Sequence, residues 1–211
     1  MKIIDLSHLL DNNTPVYPGS EKPSFVHSSQ IDTDGFAETK ISMLSHVGTH
    51  MDAPAHLISG AKYLDEFEIE AFYGKAICIN CSHIKGRTIE MEDLQFFDAR
   101  IKCSEFVLIY SGWSEKWGSN AYFEYFPVLS ENACLWLSNF KLKGIGLDCI
   151  SIDPIGTTSL PNHRIILSQN ILIIENLKIT SELTGQEFYF GCFPLKFRNS
   201  DGAAVRAVAF L

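Results

Sequence analysis

The sequence has no long hydrophobic run, no excess of basic residues and no internal repeat. A membrane-spanning helix needs about 18 or more consecutive apolar residues, so no membrane span is indicated. The 17 Lys and Arg are outnumbered by 25 Asp and Glu, and the net charge of −8 disfavours a nucleic-acid partner. Because no linker or low-complexity tract interrupts the chain, residues 1–211 are predicted to form a single domain.

The first residues also lack the apolar core of a secretion signal, because Asp5 interrupts the apolar stretch there. We therefore expect a cytoplasmic protein in which the six cysteines stay reduced. Cys78 and Cys81 have the C-x-x-C spacing of redox and zinc sites. Within a strand, however, this odd spacing sends the two thiols to opposite faces, so buried thiols without such a role are the prediction.

Apolar, β-branched runs alternate with a few helical patterns, which predicts a mixed α/β fold. The predicted strands are Lys2–Leu6, Glu38–Ser45, Ala76–Asn80, Phe106–Tyr110, Gly144–Ile150, Ile171–Glu175, Phe188–Phe193 and Val205–Phe210. The last two flank a turn-forming segment, Asn199–Gly202, and are predicted to pair as a hairpin. Helices are predicted at Leu64–Phe72, Glu92–Ala99 and Ser130–Phe140, the last with Ser130 as its N-cap.

The densest set of chemically active side chains lies in eleven residues, where three of the seven histidines accompany an aspartate. The four residues are His46, His50, Asp52 and His56. All occupy even-numbered positions, so an extended backbone would place them on one face. On a straight strand, however, His46 and His50 would be roughly 13 Å apart at about 3.3 Å per residue. Gly48 permits a bend and Pro54 ends regular pairing, which predicts a strand that runs into a curled loop.

Histidine and carboxylate side chains are the usual ligands of catalytic zinc, manganese or iron. A single histidine in such a segment would more often be an ordinary hydrogen-bonded residue. Three histidines with Asp52 on one face are better explained by a metal site, because an inward-facing aspartate needs a cation or several donors to stay charged. The sequence therefore predicts a metal centre on this segment.

The second half of the chain offers two weaker candidates. Glu175 ends an apolar predicted strand, where a carboxylate is well placed for a site but equally suits a solvated turn. His163 lies in the predicted loop Pro161–Arg164, where a surface histidine is the ordinary interpretation. Taken alone, neither position favours a functional role.

Several segments, in order, resemble the cyclase family of metal-dependent hydrolases. The segment His46-x-Gly-Thr-His50-x-Asp52-x-Pro-x-His56 is similar to the family's signature. The other similar segments are Ile4-Asp5-Leu6-Ser7, Pro15-Val16-Tyr17-Pro18-Gly19, Ser111-Gly112-Trp113, Gly146-Leu147-Asp148, Ser151-Ile152-Asp153-Pro154, Glu175-Asn176-Leu177, Pro194-Leu195-Lys196 and Asp201-Gly202-Ala203-Ala204-Val205-Arg206-Ala207. The resemblance covers nearly the whole chain and implies the family's swivelling β/β/α fold, which the pattern alone does not specify.

The resemblance also implies a role for each candidate. The positions that match metal ligands are His46, His50, Asp52, His163 and Glu175. The first three would hold one ion, and Asp52 would bridge to a second ion held by the other two. The implied cofactor is therefore one or two zinc ions, with manganese as the alternative. A bound metal lowers the pKa of water to about 7. His56 matches the catalytic histidine, which accepts a proton and returns it to the leaving nitrogen.

The family includes bacterial kynurenine formamidase and isatin hydrolase. This membership implies a small-molecule substrate whose amide group is attached to an aromatic ring. Cleavage of N-formyl-L-kynurenine to L-kynurenine and formate is the leading expectation, and hydrolysis of isatin or another cyclic amide is the alternative. Tyr17 and Trp113 are candidates for substrate binding, and packing in a core or an interface is an equally good interpretation of either aromatic. The resemblance further implies a homodimer or homotetramer.

Two other functional classes stay open. His50, Asp52 and His163 fit the two-histidine, one-carboxylate pattern of non-haem iron oxygenases, but His46 and His56 would then be surplus. A noncatalytic metal-binding protein would instead close a four-coordinate site. Dependence on oxygen and ferrous iron would identify the first class, and an exchangeable water on the metal would exclude the second.

Overall fold

The computed structural model describes residues 1–84 and 88–211. The strands are β1 (Ile3–Asp5), β2 (Ser24–Ser29), β3 (Glu38–Ser42), β4 (His50–Asp52), β5 (Tyr73–Asn80), β6 (Phe106–Tyr110), β7 (Gly144–Leu147), β8 (Leu172–Glu175), β9 (Glu187–Pro194) and β10 (Gly202–Phe210). The α-helices are α1 (Ile31–Asp34), α2 (Met91–Leu94), α3 (Asp98–Ile101), α4 (Glu131–Leu137) and α5 (Pro161–Leu167). Short 3-10 turns lie at Pro54–His56, Leu64–Glu66, Ile69–Phe72, Gln95–Phe97, Trp113–Lys116, Asn120–Phe123 and Ser181–Leu183.

One mixed, eight-stranded sheet closes on itself. Its order is β1-β10-β4-β8-β7-β6-β5-β9, and β9 also pairs with β10. Strands β5 to β8 run parallel, whereas β10 is antiparallel to β1, β4 and β9. Because β10 joins both ends of the sheet, the strands form a barrel-like layer. The mixed α/β class and the C-terminal hairpin of β9 and β10 are therefore confirmed.

Side-chain alternation along the strands divides the core into two clusters. Ala76 and Cys78 of β5 belong to one cluster, with apolar residues of β6, β8, β9 and β10. Ile77 and Ile79 belong to the other, which the buried faces of α4 and α5 complete. Each fully buried aliphatic side chain contributes about 1.5–3 kcal/mol of hydrophobic free energy, so these clusters hold the sheet that carries the site.

The helices differ in part from the predicted ones. Ser130 caps α4 as predicted, because its Oγ accepts the Ala133 N–H at 3.1 Å. The helix predicted over 92–99 is instead divided between α2, a 3-10 turn and α3. The helix predicted at Leu64–Phe72 is wrong, because Phe67 is extended, with ψ of 142°, and separates two 3-10 turns. Across the described residues, no helix is both long and apolar enough to span a bilayer.

Strands β2 and β3 form a separate two-stranded hairpin that stands away from the core. Every residue of β3 is exposed, including Ile41 at 56%. Val26 of β2 and Phe36 of the connection are also more than half exposed, at 54% and 55%. Strand β2 is not predicted from the sequence, because its serine-rich segment lacks the apolar alternation of a half-buried strand.

Candidate metal centre

Side chains from separate parts of the chain meet beside β4 and β8. Their histidine nitrogens and carboxylate oxygens form three groups, in each of which the ligand atoms lie within 4.8 Å of one another. The groups are His46 with His50 and Asp52; His46 with His56 and Asp201; and Asp52 with His163 and Glu175. The structure therefore brings together all six residues that the sequence singled out, and Asp52 connects two of the groups.

The pairing of β4 with β8 places His50 beside Glu175. The two residues are direct partners across the antiparallel pair, where opposite side chains share a face. Asp52 follows two residues after His50 and so points to the same face, while Met51 is fully buried in the core. Within the three-residue strand β4, only His50 and Asp52 therefore form the predicted face.

A bend at Gly48 returns His46 to this face. Gly48 has a φ of +69°, and a Cβ there would lie 2.2 Å from Leu10 Cδ2, so only glycine suits the position. His46 Nδ1 consequently lies 2.7 Å from Asp52 Oδ1, and His46 Nε2 lies 3.1 Å from Asp201 Oδ2. The bend removes the separation of roughly 13 Å that a straight strand would impose.

His163 lies on α5 and not in the predicted loop. Pro161 occupies the first turn of this helix, where a missing N–H does no harm, so it starts the helix where the sequence analysis expected a loop. Asp153 accepts the backbone N–H groups of Asn162 and His163 at 3.0 and 3.1 Å. Asp153 Oδ2 also lies 2.6 Å from His163 Nδ1. The other ring nitrogen, Nε2, then lies 3.3 Å from Glu175 Oε1.

One ring nitrogen of His50 is held from outside the cluster, while the other faces the carboxylates. His50 Nδ1 donates to the Gly48 carbonyl at 2.8 Å. Its Nε2 lies 3.3 Å from Asp52 Oδ1 and 3.5 Å from Glu175 Oε2. His163 shares this arrangement, because Asp153 holds its Nδ1 and leaves Nε2 for a metal, whereas both ring nitrogens of His46 face carboxylates of the cluster, Asp52 and Asp201. Three nitrogens and two carboxylates form a donor set that fits a divalent metal ion.

The electrostatics of the cluster are those of buried, opposed charges. Asp52 and Glu175 are only 1% and 4% exposed. Burial favours the neutral form of Asp52, but His46 and His50 outweigh it and hold the pKa of Asp52 well below its usual value. Burial likewise opposes a charge on His46, yet Asp52 and Asp201 raise the pKa of His46 to about 10. The carboxylates thus draw a proton onto His46, which a metal ion would have to displace.

His56 lies at the edge of this cluster, on the 3-10 turn that begins at Pro54. Its ring centroid is 4.0 Å from that of His46, and its Nδ1 lies 3.8 Å from Asp201 Oδ2. The side chain is partly exposed. Burial is the largest influence on its pKa and lowers it below the usual value. His56 therefore adjoins the predicted ligands on the side that solvent reaches.

The sequence model of a family described as putative cyclase matches residues 4–154. These residues make up more than half of the chain and include the histidine segment. The chain belongs to the cyclase family of metal-dependent hydrolases. An uncharacterized protein of Methanocaldococcus jannaschii is 32% identical to it over all of both chains. The kynurenine formamidase of Geobacillus thermodenitrificans is 29% identical over 97% of this chain and 95% of its own.

The cyclase fold is also evident from solved structures. Isatin hydrolase A from Labrenzia aggregata, bound to benzyl benzoate, superposes with a TM-score of 0.89 over 100% of this chain and 93% of its own, at 24% identity. The likeness confirms the fold class that the sequence resemblance implied, including the swivelling β/β/α architecture.

Asp201 is a residue of this cyclase site that lies in the predicted turn and in a segment similar to the family, but to which no role was assigned from the sequence. Its carboxylate contacts both His46 and His56, and its partner His46 lowers its pKa to about 2. The next residue, Gly202, passes so close that a Cβ there would lie 2.4 Å from His46 Cε1. An acidic residue beside a glycine is common in ordinary turns, so the only signal for Asp201 in the sequence is its place in a segment similar to the family.

Tyr17 and Trp113, the two aromatic candidates for substrate binding, both belong to an aromatic cluster around Tyr122. Trp113 is buried, and its Nε1 donates to the Tyr122 carbonyl at 2.9 Å. Tyr17 lies at the edge of the cluster, where its hydroxyl accepts the Gly156 N–H at 3.1 Å. Trp113 also lines a cavity of about 600 Å³ at the ends of β5 and β6. In the sheet, β7 separates these strands from β8 and the metal centre.

Proposed function

We propose that the chain is an arylformamidase, which hydrolyses N-formyl-L-kynurenine to L-kynurenine and formate. The observation that supports this most is the convergence of three histidine nitrogens and two buried carboxylates, with a further histidine beside them. This arrangement suits hydrolysis, because water can be activated next to a group that moves protons. The similarity to a kynurenine formamidase over 97% of the chain supports the choice of substrate. Such an activity belongs to tryptophan catabolism.

The proposed metal ligands are the three histidines and two carboxylates whose donor atoms converge in the cluster. His46, His50 and Asp52 would hold one ion, and Asp52 would share a second ion with His163 and Glu175. Zinc is the proposed metal, because mixed histidine and carboxylate ligands are typical of catalytic zinc sites, and manganese is the alternative. When bound, the metal supplies Lewis acidity, which polarises the carbonyl and lowers the pKa of water.

His56 and Asp201 are the chain's own proton-handling groups in this proposal. His56 would take a proton from the water that attacks the formyl carbon, as the new C–O bond forms. It would return that proton to the aryl nitrogen as the C–N bond breaks, which releases formate and the aromatic amine. Asp201 Oδ2, at 3.8 Å from His56 Nδ1, would orient the ring and stabilise its protonated form.

The exposed hairpin supports the proposal of a homodimer or homotetramer. A two-stranded hairpin is marginally stable alone, and large apolar exposed surfaces mark interaction sites. Here Ile41 and its partner Phe25 lie on one face of the hairpin, Val26 lies on the other face, and Phe36 and Leu44 are exposed beside the two strands. We propose that a second copy of the chain covers the hairpin. The other proposed partner is a small-molecule amide, and the net charge of −8 disfavours nucleic acid.

Metal analysis followed by a substrate screen tests the proposed function. The purified protein is expected to contain one or two zinc ions per chain and to release formate from N-formyl-L-kynurenine. Chelation should abolish turnover, and added zinc should restore it. Isatin and simple cyclic imides serve as competing substrates in the same assay. Metal-bound protein that turns over isatin but not the formamide would contradict the arylformamidase proposal and retain only the metal-dependent hydrolase.

A further inference from the structure

Asn176 is the buried residue that follows Glu175, and nearly all of its polar groups are engaged. It is 1% exposed. Its backbone N–H donates to the Cys149 carbonyl at 2.9 Å, and its backbone carbonyl accepts the Thr49 hydroxyl at 2.7 Å. Its side chain donates to the Gly48 carbonyl at 2.9 Å. Asn176 thereby joins β8, the end of β7 and the segment that enters β4.

The side-chain amide of Asn176 has one orientation that satisfies both Tyr122 and the Gly48 carbonyl, and in it Nδ2 also lies 3.4 Å from His50 Nδ1. The Tyr122 hydroxyl lies 2.7 Å from Oδ1 and donates to it. Nδ2 faces the Gly48 carbonyl, which only accepts hydrogen bonds. The opposite orientation would put two oxygens against each other. The hydrogen-bond network therefore assigns which amide atom is oxygen and which is nitrogen. Tyr122, which accounts for the oxygen, is fully buried.

The Gly48 carbonyl accepts a second hydrogen bond, from His50. His50 Nδ1 lies 2.8 Å from this oxygen. Because a carbonyl cannot donate, Nδ1 carries the hydrogen, and the neutral ring has its lone pair on Nε2. Nε2 is the nitrogen that faces Asp52 and Glu175. The position of one carbonyl oxygen thus determines which His50 nitrogen is presented to the site.

Asn176 also has a strained backbone. Its φ is +56°, in the left-handed region that residues other than glycine rarely adopt. Such outliers persist where the surrounding structure determines them, and they cluster at functional sites. Asn176 comes directly after Glu175, the last residue of β8. Its left-handed backbone therefore ends the strand and turns the Asn176 amide toward the Gly48 carbonyl.

We propose that Asn176 is a positioning residue for the metal centre, which fixes the Gly48 carbonyl and through it the ring orientation and tautomer of His50. Tyr122 completes the unit by holding the amide in place. This inference rests on the proposed function in one respect, namely that His50 is a metal ligand. Asn176 does not itself face the carboxylates, so its effect is on ligand geometry and not on the reaction directly.

The test compares Asn176→Gly with Asn170→Gly. Glycine relieves the left-handed strain at both positions, because Asn170 has a φ of +57° and is exposed. Only Asn176→Gly removes the amide from Gly48. Zn²⁺ affinity is measured by competition with a chromophoric chelator, and the His50 tautomer is read from ¹⁵N chemical shifts of the metal-free protein. Loss of an outer hydrogen bond to a ligand typically weakens metal binding by about 10- to 100-fold.

The expected result is a Zn²⁺ affinity weakened by about 10- to 100-fold in Asn176→Gly, with a mixed His50 tautomer, and no change in Asn170→Gly. Tyr122→Phe should weaken binding by a smaller factor, and it decides the question if Asn176→Gly does not fold. The inference would be overturned if folded Asn176→Gly kept both the parent Zn²⁺ affinity and the parent His50 tautomer. If Asn176→Gly does not fold, the same result for Tyr122→Phe would overturn it. Failure of the parent protein to bind Zn²⁺ would instead contradict the proposed function. The His50 tautomer, compared between the parent and Asn176→Gly, would still test the role of Asn176.

Discussion

His163 Nδ1 lies 2.6 Å from the carboxylate of Asp153, which is fully buried and also accepts the backbone N–H of His163. One carboxylate therefore secures both the start of α5 and the rotation of the imidazole that this helix carries. Such an outer carboxylate raises the basicity of a histidine ligand and directs its other nitrogen toward the metal. In this chain that nitrogen faces Glu175.

Asp153→Asn is expected to weaken metal binding without unfolding the protein. The asparagine amide keeps one oxygen, which can accept a backbone N–H of α5. Its NH₂ group cannot accept a hydrogen bond, so the amide cannot accept from both the backbone and the His163 ring as the carboxylate does. We expect Zn²⁺ affinity to fall by about 10- to 100-fold. Isothermal titration with Zn²⁺ measures it, and Asp98→Asn, at an exposed aspartate that pairs with Lys102, is the control. Equal affinities in the two variants would contradict the role of Asp153.

His56→Ala should separate catalysis from metal binding. Because His56 adjoins the predicted ligands without being one of them, the variant is expected to keep its metal content. Its kcat should fall by about 10²- to 10⁴-fold, the usual contribution of a general acid–base group. Metal analysis and steady-state kinetics measure the two quantities, and the exposed His83→Ala is the matched control. Near-normal turnover, or loss of the metal, would remove His56 from its assigned role.

Ile41→Asp is expected to weaken self-association. A charge in the middle of the exposed hairpin would be buried without a partner when a second copy covers that surface. Sedimentation velocity should show a shift from dimer or tetramer toward monomer. Ile69→Asp, at an isoleucine outside the hairpin that is 61% exposed, makes the same chemical change and should leave the assembly intact. An unchanged assembly in Ile41→Asp would exclude the hairpin as the interface.

The stability of the protein should depend on the protonation of Asp148. Burial outweighs the hydrogen bonds that this carboxylate accepts from Ser111 and Trp113, and raises its pKa to about 6. The folded state then keeps a proton that the unfolded state releases near its usual value of 3.8. The contribution of Asp148 to the free energy of unfolding is therefore largest at low pH and falls as the pH rises from about 4 to about 6.

Urea unfolding of the metal-free protein and of Asp148→Asn, measured between pH 4 and pH 7, tests this dependence. The variant has no titrating group at position 148, so the difference between the two free energies of unfolding isolates the contribution of the Asp148 proton. Relative to the variant, the parent should lose up to about 3 kcal/mol as the pH rises across that range. A difference that stays constant with pH would show that Asp148 keeps an ordinary pKa.

The sequence predicted the part of the site that is local and missed the part that is assembled by the fold. His50 and Asp52 could be placed on one face because alternation along a strand is a short-range rule, whereas His46 and His56 reach the site through a bend at Gly48 and a 3-10 turn. Glu175 could be predicted as a strand-end carboxylate for the same reason. Nothing local signals that β4 pairs with β8, which brings His50 beside Glu175. Only the family resemblance connected the two halves of the centre.

The residues that hold the ligands were beyond the reach of sequence patterns. Asp153 is a buried carboxylate whose partner lies on another element, and Asn176 works through a left-handed backbone that no residue pattern specifies. The error at His163 has a local cause, because the helix start at Leu160 has no side-chain cap and Pro161 also suits a loop. The helix predicted over 64–72 failed because apolar spacing alone does not distinguish one helix from two short turns.

Strand β4 has a consequence for the order in which the protein is made. Its neighbours in the sheet are β8 and β10, which lie at 172–175 and 202–210. A ribosome therefore synthesises the histidine segment long before either neighbour exists, and during that interval the segment has neither a sheet partner nor its distant ligands. The five proposed ligands are all present only after Glu175, the last residue of β8, has been synthesised. Binding of the proposed second ion therefore requires β8, which is synthesised about 120 residues after the histidine segment.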